Sequence, residues 1–138
     1  MIPCLVIGDS IAVGVGQTLP ECRTQARTGI NSRQFVHELL SPQQADKVVI
    51  SLGVNDGPSA YTIPNLLRVR ETVKGRMVYW LLPPHHDYAR IAIRTVAAQF
   101  GDWLIDCTPT AGPDGLHPTG AGYRMLGTLI RMTGRRTG

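Results

Sequence analysis

Long hydrophobic runs are missing from this chain of 138 residues. None approaches the roughly 18–20 apolar residues that cross a bilayer, which excludes a spanning helix and argues against a membrane partner. The N-terminus lacks a basic stretch and a small-residue cleavage site, so no secretory leader is read there. Lysine is nearly absent, with two Lys against twelve Arg in a net charge of +4. The arginines are scattered, and the tightest cluster is Arg131, Arg135 and Arg136 near the C-terminus. A solvated basic surface is the expectation, with no nucleic-acid partner. Aromatic residues make up only 6% and charged residues 17%, beside 43% apolar ones. That balance excludes a disordered or fibrous chain and leaves room for one modest core.

Cysteine is scarce too. Cys4, Cys22 and Cys107 form an odd set with no CxxC spacing, which argues against a disulfide framework or a zinc site. Buried free thiols are the default, with a Cys4–Cys22 bridge as the alternative. Free thiols and the missing leader together favour a cytoplasmic location, although a phage-particle or secreted context stays open. Nothing resembles an oligomerisation seam, so a monomer is expected.

What the chain does have is alternation. Apolar runs rich in β-branched residues recur at Ile2–Ile7, Lys47–Leu52, Met77–Leu82 and Trp103–Cys107, and Cys22–Arg27 is a weaker fifth. Continuous apolarity, as in Val48-Val49-Ile50, suits strands covered on both faces. Helical patterns lie between and after these runs. Ala89, Ala92, Ile93, Val96, Ala97 and Phe100 make a stripe of period 3.6. Thr62 and Pro64 suit a helix start, with an end before Gly75. Asn31 or Ser32 can cap a helix that carries Phe35, Val36, Leu39 and Leu40 and is closed by Pro42. Thr119 can cap a last helix carrying Leu126, Leu129 and Ile130. A strict β-α alternation over five strands predicts an α/β fold, with a parallel sheet, helices on both sides and right-handed crossovers. One domain covers residues 1–138, of which 134–138 read as a flexible basic tail.

In such sheets ligands bind beyond the carboxyl ends of the strands. Four motifs fall there. Gly8-Asp9-Ser10 follows the first strand, and a serine on that turn suits a nucleophile and an oxyanion donor, or simply a helix cap. Gly29 follows the second, where a residue without a side chain lets its N–H approach an oxyanion; most loop glycines, however, serve turns. Gly53-Val54-Asn55-Asp56 follows the third, and the Asn55 amide either donates to an oxyanion or makes an Asx turn. Asp114-Gly115-Leu116-His117 follows the fifth, with an acid three residues before an imidazole. A metal site from His117, Asp114, His85 and His86 matches no strong spacing, and neither metal nor cofactor is expected. Together the four motifs supply a nucleophile, a base, an orienting acid and three oxyanion donors.

These blocks resemble those of the SGNH (GDSL-like) hydrolases over residues 8–119. Gly8-Asp9-Ser10 resembles the first block, Gly29 the second-block glycine, Gly53-Val54-Asn55-Asp56 the third and Asp114-Gly115-Leu116-His117-Pro118 the fifth. The resemblance implies a flavodoxin-like three-layer α/β/α sandwich with a five-stranded parallel sheet. It implies Ser10, Asp114 and His117 as a triad. It also implies an oxyanion hole from the Ser10 and Gly29 N–H groups and the Asn55 side chain, with Asp9 and Asp56 structural. Two features depart from that pattern: the chain is short, and Val54 stands where a small polar residue is common.

Serine esterase chemistry is the resulting expectation, leaning towards removal of acetyl groups from an O-acetylated glycan. The brief loops argue for an open cleft and against an acyl tunnel. Asn31, His85 and His86 are the candidate substrate contacts. Lys47, Arg27 and Arg33 hint at an acidic polysaccharide. Thioesterase or lipase-like activity, or a non-catalytic binding module on the same fold, are the alternatives.

Overall fold

A computed structural model describes residues 2–133, so the tail read at 134–138, with Arg135 and Arg136, lies outside the described residues. Five strands are β1 (Ile2–Gly8), β2 (Arg23–Ala26), β3 (Gln43–Ser51), β4 (Val73–Leu82) and β5 (Trp103–Asp106). They alternate with α1 (Ser10–Thr18), α2 (Ser32–Glu38), α3 (Thr62–Thr72), α4 (Asp87–Phe100) and, after a short 3₁₀ turn at Thr108–Thr110, α5 (Gly120–Met132). All strand pairs are parallel, in the order β2-β1-β3-β4-β5. The predicted α/β sandwich is the observed one.

Strand residues divide the core by parity. Leu5, Ile7, Val48, Ile50, Val78, Trp80 and Leu82 face Phe35, Leu66, Ile93 and Val96 of α2, α3 and α4. Their neighbours Val6, Val49, Tyr79 and Leu81 face Ile11, Val15, Leu126 and Ile130 of α1 and α5. Both faces being covered, β1, β3 and β4 read as unbroken apolar runs rather than alternating ones. β5 is a sheet edge and leaves Trp103 56% exposed. Asn31 and Thr119 cap α2 and α5 as expected, Asn31 through a reciprocal pair of bonds with Gln34.

α3 starts at Thr62 and ends at Thr72, before Gly75 as expected, and Gly75 itself lies inside β4, where a Cβ would stand 2.8 Å from a Val48 methyl. The residue is small because the neighbouring strand is close.

The thiols differ from the sequence reading. Cys4 and Cys22 are joined in a disulfide, their Cα atoms 4.7 Å apart, and only Cys107 is free. Sheet register is the reason. Leu5 pairs with Arg23, so the preceding residues of the two neighbouring strands stand side by side. The bridge removes the free-thiol argument for a cytoplasmic location, since disulfides persist mainly in oxidising compartments. Cys107 is buried, and that burial pushes its thiol up to about 12. Among the described residues no helix is long and apolar enough to cross a membrane.

Candidate active site

The sheet ends deliver the four motifs to one place. β1 stops at Gly8 with φ +135°, a conformation glycine tolerates, and a Cβ there would collide with the Ser51 carbonyl oxygen of β3. That close approach lets the Asp9 N–H donate to the same carbonyl at 2.9 Å. Asp9, not Ser10, caps α1, its carboxylate accepting from the Ile11 N–H at 3.1 Å and the Ser51 hydroxyl at 2.8 Å. Burial pushes the Asp9 carboxyl up to about 6, against the lowering effect of these donors. With capping assigned to Asp9, the Ser10 side chain is left for other work.

Ser10 Oγ lies 2.9 Å from His117 Nε2, across 107 positions of sequence. On the other side of the ring, His117 Nδ1 lies 2.7 Å from Asp114 Oδ2. With the proton on Nδ1 donated to Asp114, Nε2 is free to accept from the Ser10 hydroxyl. The second Asp114 oxygen accepts from the Leu116 and His117 N–H groups, both at 2.8 Å. Those backbone donors, the Leu116 N–H foremost, together with the imidazole hold the Asp114 carboxyl down at about 2. The carrying loop is closed at its base: Gly112 N–H donates to the His117 carbonyl at 2.8 Å, and Thr119 N–H to the Thr110 carbonyl at 3.1 Å. A mobile imidazole is thereby fixed by short local bonds rather than by depth. The His117 side chain stays 44% exposed, so the site is open.

Three groups are the candidates for an oxyanion hole. The Ser10 N–H begins α1, where first-turn N–H groups have no partner inside the helix. Gly29 adopts φ +80° with open space around it. The Asn55 amide donates to the Ile30 carbonyl at 3.0 Å, which uses one of its two N–H bonds and ties the Gly29 and Asn55 loops together. Asp56 joins the elements behind them, accepting from the Ser32 N–H at 2.8 Å, from the Ser32 hydroxyl and from the Thr62 hydroxyl at 2.7 Å. The reading of Asp9 and Asp56 as ties between loops matches these bonds.

The three candidate contacts are arranged differently. Asn31 spends its side-chain oxygen on the α2 cap, leaving its NH₂. His85 and His86 both take φ +56°, rare for non-glycine residues. His85 lies beside Gly115 of the His117 loop, while His86 Nδ1 lies 3.2 Å from the Pro84 carbonyl and its ring meets Tyr88 edge-on. Tyr88 closes the polar and aromatic stretch Pro83-Pro84-His85-His86-Asp87-Tyr88 that follows the fourth strand. Its hydroxyl donates to the Val54 carbonyl at 2.8 Å, fixing the peptide that precedes Asn55.

Of the three basic residues, Lys47 lies far from this end, its ammonium on the Ile130 and Arg131 carbonyls at the C-terminus of α5. Arg27 pairs with Glu38 at 2.8 Å. Arg33 stands on the exposed face of α2. Among the described residues no group of three His, Cys, Asp or Glu side chains is placed to hold a metal ion.

No protein-family model matches this sequence, and no curated protein does. Solved structures do. A GDSL-like lipase from Bacteroides thetaiotaomicron superposes with a TM-score of 0.63 at 19% identity, over 94% of this chain and 86% of that one. This is the SGNH-hydrolase fold. Protein YXIM from Bacillus subtilis shares that fold at TM-score 0.67 and 19% identity, over 94% of this chain. The present chain spans only 55% of its length. A two-domain esterase active on acetylated mannans has the SGNH fold at TM-score 0.56 and 14% identity, over 94% of this chain and 48% of that one.

Proposed function

We propose that this protein is a serine esterase acting by two-step acyl transfer. The observation that carries the reading is the continuous relay from Ser10 Oγ through the His117 ring to Asp114, at 2.9 and 2.7 Å. In the first step Ser10 Oγ attacks the ester carbonyl carbon and its proton passes to His117 Nε2. Asp114 keeps the ring in the required tautomer and stabilises the imidazolium. The carbonyl oxygen, now an anion, is held by the Ser10 and Gly29 N–H groups and the Asn55 amide. The C–O bond to the alcohol then breaks, and the alcohol leaves with the proton from Nε2. Water repeats the sequence on the acyl-enzyme and releases the acid. Side chains and water supply every proton and bond in this cycle, with no cofactor.

A short acyl group on a large alcohol suits the site better than a long chain. The His117 side chain is 44% exposed, which argues for an open cleft over an acyl tunnel, and a structural neighbour is active on acetylated mannans. Removal of acetyl groups from a glycan is therefore the substrate reading, with Asn31, His85 and His86 as alcohol-side contacts.

Hydrolysis of p-nitrophenyl acetate beside p-nitrophenyl octanoate, by wild type and Ser10→Ala, tests it. Wild type should cleave acetate faster than octanoate, and Ser10→Ala should lose about 10⁴ or more in kcat. A preference for octanoate moves the reading to a lipase or thioesterase. Equal inertness of both proteins moves it to a binding module.

A further inference from the structure

We propose that the face joining α2 and α3 is a subsite for a sugar ring bearing an anionic substituent, a carboxylate or a sulfate, in the alcohol part of the substrate. The proposal rests on the esterase reading for its role and names the substrate class of that same site. A groove of about 510 Å³ is lined by Arg33, His37, Tyr61 and Asn65. On the other flank of Arg33 and His37, a depression of about 330 Å³ is lined by these two with Asn31, Gln34 and Glu38. Arg33 and His37 are four residues apart on one helix, so they stand as a ridge between the two hollows.

Charge selects the ligand. Three basic residues were candidates for holding an acidic polymer, and the structure separates them. Lys47 is at the opposite end of the sheet, on the carbonyls of α5. Arg27 and Glu38 neutralise one another. Arg33 has no hydrogen bond or ion pair among the described residues. An unpaired guanidinium on the wall of a groove offers a planar fork for a carboxylate or sulfate. Tyr61 lines the same groove and is 74% exposed, so its apolar ring face is open to the face of a sugar. Asn65 donates to the Ser32 hydroxyl at 3.2 Å, and its side-chain oxygen remains for a sugar hydroxyl.

Location links this groove to the chemistry. Asn31 lines the smaller hollow and directly follows the Ile30 carbonyl that the Asn55 amide engages. The same two helices are tied to the Asn55 loop through Asp56, which accepts from Ser32 of α2 and Thr62 of α3. A ring seated against Tyr61 and Arg33 would thus lie along walls fixed to the loops that carry the oxyanion donors. A glycan whose ester reached Ser10 would run across this face.

Calorimetric titration at low salt with trigalacturonate, a sulfated trisaccharide and neutral mannotriose tests the proposal without relying on turnover. At least one anionic ligand should bind wild type about tenfold or more tightly than mannotriose, and Arg33→Gln should remove that advantage. Tyr61→Ala should weaken every ligand that binds, and Arg94→Gln, an exposed change on α4, should behave as wild type. Equal affinity for charged and neutral sugars, wild-type binding by Arg33→Gln, or no binding of either anion overturns it. Hydrolysis of p-nitrophenyl acetate by wild type is measured alongside, and Arg94→Gln should keep the wild-type rate. If that ester is cleaved but no anionic sugar binds, the subsite fails and the esterase stands. If anionic sugars bind through Arg33 and the ester is untouched, the esterase reading fails instead.

Discussion

The two ends of the sheet are held by different kinds of bond. At the amino end of the strands, the Cys4–Cys22 disulfide fastens β1 to β2, and Arg131 grips Glu21 through two contacts of 2.7 and 2.8 Å. Lys47 there holds the carbonyls that end α5. At the carboxyl end, no covalent tie is present among the described residues. Loops are joined by carboxylates instead: Asp9 to Ser51, Asp56 to Ser32 and Thr62, Asp114 to its own loop and His117. Stapling fixes the end away from the candidate site. Hydrogen-bonded loops place individual N–H groups and side chains to within a bond length while leaving them open to a ligand. Stability and chemistry are therefore separable in this fold, and substitutions at the two ends should sort accordingly.

After Ser10→Ala, the largest expected effect also lies at the carboxyl end. Asn55→Ala should lower kcat on p-nitrophenyl acetate by about 10²–10³, the usual cost of one oxyanion donor. Asn55 is exposed, so the urea midpoint should move little. A rate within threefold of wild type would remove Asn55 from the hole and leave it as a tie to Ile30. The reverse pattern belongs to the amino end. Replacing Cys4 and Cys22 together by Ser opens a link of sequence separation 18, worth about 3 kcal/mol of folding stability on loop entropy. Urea unfolding should record that loss while the rate at 25 °C stays unchanged. A fall in rate in the still-folded variant would break the separation.

Much of this arrangement was legible in the sequence. Strand and helix order followed from apolar runs and period-3.6 stripes because each β-α unit is local. The meeting of the Ser10 and His117 motifs, 107 positions apart, was legible because parallel strands deliver their carboxyl ends to one edge. What stayed hidden depended on register and on hydrogen-bond choice. Cys4 and Cys22 meet only once β2 pairs beside β1 in the register of Leu5 with Arg23. Asp9 and Ser10 are both good caps, and only the close Ser51 carbonyl of β3 shows which one turns inward. Tyr88 reaches Val54 across a gap of 34 positions that no local pattern marks. Charge was the least legible: Lys47, Arg27 and Arg33 look alike in sequence and have three different surroundings.

The smallest expected effect separates two carboxylates, Asp9 beside Ser10 in the chain and Asp114 on the far side of the His117 ring. Asp114 is exposed and held down at about 2, so it stays ionised through the acid range where a hydrolase is assayed. Asp9 is buried, and its carboxyl is pushed up from 3.8 to about 6. A carboxyl with a raised folded-state pKa favours folding while protonated. Its contribution is complete below the unfolded value near 4 and is lost as pH rises through about 6. From pH 7 down to pH 5, the Asp9 contribution should therefore increase stability by roughly 1 kcal/mol. Glu21 and Asp114, both lowered to about 2, act with the opposite sign and only at more acid pH, below their unfolded values. Asp9→Asn keeps an oxygen to accept from Ile11 and Ser51 but cannot titrate. Wild type minus Asp9→Asn, measured by urea unfolding at pH 5, 6 and 7, isolates the effect. A difference that grows in favour of wild type as pH falls assigns the proton to Asp9; a constant difference means the buried carboxyl does not take up a proton in that range.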